Sequence, residues 1–183
     1  MKLKPQKSEK MTQTILFDLE STGLLRCGSR IHCIVARDMS KVDEPLVFDH
    51  RPHQTINMGI QMLSQAKTII GHNIIGYDIP LIQEAYDFEF EGEIIDTLVL
   101  SRLFYPHITN RDYEIRPKGM PERLYGRHSL EAWGHRLKCF KGEFGKESDW
   151  KTYTPEMLNY CIQDTEVTVK LYELLMRRMN DYA

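Results

Sequence analysis

At 183 residues, 42% of them hydrophobic, the chain is long enough for one domain with a full core and too short to expect two. A formal net charge of -2 excludes a protein that holds nucleic acid through overall positive charge, so any polyanion must be gripped by a local patch. No run reaches the roughly 18 consecutive apolar residues of a membrane span, and Cys27, Cys33, Cys139 and Cys161 form no CxxC pair behind a secretory leader, which points to a reduced, cytoplasmic compartment.

Residues 1–12, polar and lysine-rich, read as a mobile leader, leaving 13–183 as the folded domain. TILFDL (14–19), RIHCIVAR (30–37) and PLVFDH (45–50) are rich in β-branched and aromatic residues and are bounded by turn formers, which predicts three strands in an antiparallel meander. Cys27, His32 and Cys33 lack a second ligand pair and are read as thiols and a histidine without zinc. In TINMGIQMLSQA, Ile56, Ile60 and Leu63 recur at helical spacing, and the short apolar strand KTIIGH follows.

DIPLIQEAYDF reads as a helix with proline in its first turn, GEIIDT as a strand, and Thr97 to Tyr105 as a helix. The stretch from Pro106 to Arg127 carries no clear period and reads as a long surface loop. HSLEAWGHRL resumes helical spacing through Leu130, Trp133 and Leu137. Thr154, Pro155 and Glu156 then supply a cap, a first-turn proline and a first-turn acid to a last helix reaching about Arg178. Strands followed by strand-helix alternation predict an α/β fold with a mixed sheet flanked by helices.

Acids punctuate this apolar framework. Asp18 and Glu20 lie two apart on a strand and so share a face. Asp78 stands at a loop-to-helix junction, where it could equally be a helix cap. Tyr160 and Asp164 are four apart on the last helix, one above the other, where an amphipathic helix packing a ring and exposing an acid would look the same. Together the four carboxylates make an oxygen-ligand set suited to hard divalent cations such as Mg²⁺ or Mn²⁺. Two such ions about 4 Å apart can clamp an in-line displacement at phosphorus.

FDLESTG, GHNIIGYD and YCIQD, in this order, resemble the three exonuclease motifs of the DEDD superfamily of 3′-to-5′ exonucleases, which have a ribonuclease H-like fold. Tyrosine four residues before the final Asp matches the tyrosine branch; the histidine branch would need His at position 159, which is Asn159. IDTLVLSRL and RHSLEAWGHRLKCFKGEF extend the resemblance to the proofreading domain of the family A replicative polymerases of T-odd, short-tailed bacteriophages. The family A polymerase module does not follow, so the expectation is an exonuclease working without one.

The resemblance implies a five-stranded sheet and two bound divalent cations, Mg²⁺ or Mn²⁺. Asp18, Glu20 and Asp164 would hold the first, and Asp18 the second, with Asp78 near it through water. Tyr160 would orient the attacking water, its phenol being too weak an acid to serve as a base near neutral pH. By the same resemblance Thr22 and Asn73 fall where the terminal nucleotide is contacted, and Leu24 where an apolar wedge meets the terminal bases. A small core staple is the other reading of Leu24. His72 could stack or bond near the strand end, or serve as a structural histidine.

Between Arg111 and Lys146 nine Lys/Arg stand against five acids, a local net charge of +4 beside an acidic site. With Tyr113 and Tyr125 interleaved, this flank could hold a phosphate backbone and stack bases; an ordinary solvated loop would carry the same charge. The resulting expectation is a metal-dependent 3′-to-5′ exonuclease on single-stranded or frayed DNA ends, serving phage or bacterial DNA replication, repair or degradation. The alternatives are a small exoribonuclease like the oligoribonucleases, which share DxExTG but belong to the histidine branch, and a module docking on a separate polymerase or replication protein.

Overall fold

Ile15, Phe17 and Leu19 alternate with Leu16, Asp18 and Glu20, and this period of two makes Thr14–Ser21 a strand, β1, whose faces have different tasks. The first set packs into a core with Ile60, Leu63, Ile79 and Ile82. Leu16 on the opposite face meets Ile70 and Val169. The structure is a computed structural model and describes residues 13–23, 29–139 and 150–181. The leader expected over 1–12 lies outside the described residues.

β2 (Ile31–Asp38) pairs antiparallel with β1, and β3 (Leu46–Phe48) antiparallel with β2, as the meander predicted. β4 (Thr68–Gly71) and β5 (Glu93–Asp96) then add parallel strands on the other side of β1, giving the order β3-β2-β1-β4-β5. Parallel neighbours need crossovers. These are supplied by α1 (Ile56–Gln65), capped by Thr55, and α2 (Asp78–Ala85). The sheet is the expected mixed five-stranded one, with β1 at its centre.

α3 (Thr97–Phe104), α5 (Leu130–Arg136) and α6 (Pro155–Asn180) build a further helical core around Trp133, Val167, Leu171 and Leu175. The cap at the start of α6 is as expected: the Thr154 hydroxyl accepts the Met157 N–H at 3.2 Å, with Pro155 in the first turn. No described helix is long and apolar enough to cross a membrane.

The expected loop from Pro106 to Arg127 is a difference. It contains the helix α4 (Ile108–Ile115) and a 3₁₀ turn at Glu122–Leu124. ITNRDYEI has apolar residues only at its two ends, so no period announces a helix. A polar anchor does the work instead. Arg136 donates to the Asp112 carboxylate through Nε at 2.9 Å and Nη2 at 2.7 Å, and the Gly126 N–H adds a third bond at 2.9 Å. Burial alone would raise the Asp112 pKa, yet these bonds hold it below the ordinary carboxylate value.

Both partners of this pair are buried, with side chains 1% and 8% exposed. Asp112→Ala, which would strand the Arg136 guanidinium, is therefore expected to cost about 3–5 kcal/mol. Urea denaturation at neutral pH measures it, and a loss below about 1 kcal/mol, the value of an exposed pair, would refute the anchor.

Candidate active site

The acids are placed by three elements of ordinary construction. Asp18 and Glu20 leave the central strand on the face covered by α6, just before a register shift between Glu20 and Ser21 that bends the strand end away. Asp78 is the first residue of α2, where the positive end of the helix dipole favours a carboxylate. It is not a cap: Tyr77 holds that position, and it makes no side-chain capping bond. α6 carries Tyr160, Cys161 and Asp164 across the same strand face.

The loop between β4 and α2 is held from the outside by Asp96. Its carboxylate accepts the N–H groups of Asn73 (2.9 Å), Ile75 (3.1 Å) and Leu98 (2.9 Å), so one side chain caps α3 and fixes the turn leading to Asp78. Asn73 stands in the left-handed region at φ 65, a conformation that asparagine tolerates better than most residues. A Cβ on Gly71 would run into the Ile74 side chain and the Phe17 carbonyl, which keeps β4 tight against β1. The Tyr77 hydroxyl donates to the Gly23 carbonyl at 2.5 Å and lies 2.7 Å from the Ser21 hydroxyl, tying the end of β1 to this loop.

Asp18, Glu20, Asp78, Tyr160 and Asp164 all line one cleft of about 690 Å³. None of the four acids is paired with Lys or Arg among the described residues. The electrostatic result is direct. Burial and then the charges of Asp18 and Asp164 push Glu20 up to about 10, and burial above all raises Asp78 to about 7. Asp18 and Asp164 also lie well above the carboxylate range, each through burial and then through a neighbouring acid.

A cluster of buried and half-buried, mutually repelling carboxylates without a basic partner among the described residues fits a divalent cation. Ligand atoms of Asp18, Glu20 and Cys161 all lie within 4.8 Å of one another. Cys161 is the odd member: its thiol donates to Asp18 Oδ2 at 3.5 Å, and burial raises its pKa well above normal, so it acts as a proton donor and not as a thiolate. Tyr160 hydrogen-bonds Asp164 on the next helical turn, and burial followed by the Asp164 charge lifts its phenol further from ionisation.

Of the remaining sequence-predicted residues, His72 and Asn73 line the cleft. His72 Nδ1 lies 2.9 Å from the Thr97 hydroxyl, and burial lowers its pKa to about 4, so the imidazole is neutral. The Thr22 hydroxyl accepts the Arg30 N–H at 3.0 Å, closing the turn after β1, and Thr22 is not among the cleft residues. Leu24 lies outside the described residues, as does Cys27. His32 bonds the Trp150 carbonyl oxygen at 2.9 Å.

Sequence reasoning missed Tyr77, Leu98, Arg102 and Trp150 as cleft residues, and it counted Arg127 only within a charged stretch and His128 only in a helix. One signal was available: Arg102 is the only charged residue of the α3 sequence TLVLSRLF. Tyr113 and Tyr125, which could stack bases or belong to a solvated loop, pack edge to face on each other at 5.1 Å.

No family model matches the chain. The chain is 30% identical over 191 residues to the DNA-directed DNA polymerase of Escherichia phage T7, an alignment covering 88% of this chain and 26% of that polymerase. The chain is thus similar over most of its own length to one part of a phage DNA polymerase. It therefore spans about a quarter of the length of the curated relative it matches. Among solved structures, NrnC of Brucella melitensis superposes with a TM-score of 0.67 over 97% of this chain and 78% of NrnC at 17% identity. Escherichia coli RNase D gives 0.61 over 93% and 40% at 15%. These two similarities show the fold, the ribonuclease H-like mixed sheet flanked by helices that the sequence led us to expect.

Proposed function

We propose that this chain is a metal-dependent 3′-to-5′ exonuclease that releases nucleoside monophosphates from single-stranded or frayed DNA ends. The observation that carries the reading is the cleft itself: four acids without a basic partner among the described residues stand beside Tyr160, while Arg102, Arg127 and His128 line the same space. Such a wall can accept cations and phosphate together, which is the combination phosphodiester hydrolysis requires. DNA is favoured because the match at 30% identity is to a DNA polymerase. The setting would be the cytoplasm of a bacterial or phage-infected cell, acting by itself or beside a separate polymerase.

Asp18, Glu20, Asp78 and Asp164 would hold two divalent cations, Mg²⁺ or Mn²⁺. NrnC is described with bound Mg²⁺, which supports this assignment. Bound cations would neutralise phosphate charge and acidify water. The chain's own residues do the rest. Tyr160, a neutral phenol bonded to Asp164, orients a water through its oxygen. Arg102 and Arg127 offer charge-assisted hydrogen bonds to phosphate oxygens. Neutral His72 and the Asn73 amide face the departing nucleotide, and Thr22 and Leu24 remain proposed contacts to it.

RNA ends are the second reading. RNase D is described as an exoribonuclease, and NrnC is described bound to pGG. A time course on 5′-labelled DNA and RNA of one sequence with Mg²⁺ or Mn²⁺ separates the two. Stepwise shortening from the 3′ end, faster on DNA, is expected. Tyr160→Phe should slow it about 10- to 100-fold, as misplacing a reactant does. Faster RNA shortening would install the second reading, and no shortening of either strand would end both.

A further inference from the structure

A second cavity, of about 530 Å³, opens among the α3 end, α4, α5 and α6, and it shares no lining residue with the catalytic cleft. Its size suits a nucleotide-sized ligand. Tyr105, Ile108, Trp133, Leu137 and Leu174 give it apolar and aromatic walls. Arg111, Arg116, Lys118 and Lys138 line it as well, and none of the four has a carboxylate partner among the described residues. The one acid in the lining is Asp112, and its charge is taken up by Arg136. The cavity thus presents four cations outside any salt bridge among the described residues, around an aromatic floor.

Two features set these cations apart from a solvated face. Arg116 and Lys138 both occupy the left-handed region, at φ 50 and 57, just past the ends of α4 and α5 where glycine is the residue without steric cost. Asn73, at the catalytic cleft, is the only other such non-glycine residue described. Residues held in that region cluster at ligand sites, because something must offset the strain. In addition, Trp133 Nε1 and Arg136 Nη1, on two residues lining the cavity, are buried donors without an acceptor among the described residues. Arg136 also stacks its guanidinium on the Trp133 ring at 4.9 Å, and Arg111 lies over Tyr105 at 5.6 Å.

Aromatic surface combined with unpaired cations is the arrangement that holds single-stranded nucleic acid without sequence preference: rings and guanidinium planes take bases, and the rim takes phosphates. The two cavities are neighbours along one short helix. Ser129 and Leu130 line the cleft, and Trp133 and His135 to Lys138 line the second cavity, a separation of about 10 Å at the helical rise. We infer that this cavity is a second, non-catalytic nucleic-acid site that holds nucleotides of the strand on the 5′ side of the end engaged in the cleft. The inference rests on the proposed nuclease reading for the polarity of the strand, and on the cavity alone for the binding of nucleic acid. It gives part of the positive flank seen in the sequence a place away from the acids.

The test uses binding without hydrolysis, so its failure is distinct from a failure of the nuclease reading. The chain has two tryptophans, Trp133 in the second cavity and Trp150 in the cleft. In Trp150→Phe, all tryptophan emission comes from Trp133. Titrating that protein in EDTA with oligo(dT) of about 15 nucleotides, within the site size of one strand-binding module, should quench Trp133. Adding Arg116→Ala, Lys118→Ala and Lys138→Ala, all exposed side chains, should weaken binding at least about tenfold. The same change should reduce the slope of log affinity against log salt by about 2, at roughly 0.7 for each phosphate that is no longer neutralised. Binding with no change in Trp133 emission overturns the inference, as does an unchanged affinity and salt slope in the triple variant. Equal quenching by poly-glutamate overturns it too and assigns the cavity to an acidic protein surface.

Discussion

Asp164→Asn is expected to lower nucleotide release about 10³-fold or more while leaving the metal-free protein more stable than the parent. The two effects have one cause. Asp164 is half-buried beside Asp18 with no basic partner among the described residues, so in the absence of a cation its charge is a cost to the fold. The amide keeps the volume and still offers an oxygen to Tyr160, but it removes that charge. A gain of 1 kcal/mol would raise Tm by about 2–4 °C in a domain of this size.

Activity moves the other way because the proposed cation site loses a charged ligand. A preorganised charge of this kind is worth several kcal/mol at the transition state, and each 1.36 kcal/mol is about tenfold in rate. Thermal melting in EDTA and a single-turnover assay with Mg²⁺ read the two effects separately. An inactive variant that melts below the parent would show that Asp164 supports the fold, and the metal-site reading would lose its strongest prop.

In EDTA, stability should fall as pH rises across the neutral range, the reverse of the trend for most paired carboxylates. The sign follows from the shifts. Asp78 moves from an ordinary 3.8 to about 7, and Glu20 from 4.5 to about 10, both raised first by burial. Between the two values of each group the folded protein keeps a proton that the unfolded chain has lost. It therefore binds more protons, and unfolding becomes easier by up to about 1.4 kcal/mol per pH unit for each such group. The penalty starts near pH 4, is complete for Asp78 near 7 and for Glu20 near 10, and the acids titrate as a coupled set.

Divalent cations should flatten this profile. They bind the ionised acids, so the stabilisation they give grows with pH as fewer protons have to be displaced. Urea melts at pH values of about 5, 7 and 9, with EDTA and with Mn²⁺, measure both slopes. A metal-free stability that rises through this range would mean that the acids are not a repelling cluster.

Much of this site was legible because it is local. The alternation of Ile15, Phe17 and Leu19 with Asp18 and Glu20 fixes a strand with one buried face and one acidic face. The spacing of Tyr160 and Asp164 fixes a shared face on a helix. Order along the chain then linked these to Asp78. The cap at Thr154 was equally local, a hydroxyl meeting an N–H three residues ahead.

Only the tertiary structure decided the rest, and the reason in each case is distance along the chain. α4 has no apolar stripe and exists because Asp112 meets Arg136, 24 residues away. Asp96 holds the loop before Asp78 from another strand, and Cys161 reaches Asp18 from the far end of the sequence. A charge count over residues 111–146 could say that the region is basic. It could not say that Arg127 faces the acids, that Arg123 is paired with Glu131, or that Arg116, Lys118 and Lys138 surround a separate cavity. The sequence by itself determined which residues could do this chemistry, because strand and helix periods act within a few positions. The fold decided which of them meet, because packing brings together side chains that no local period relates.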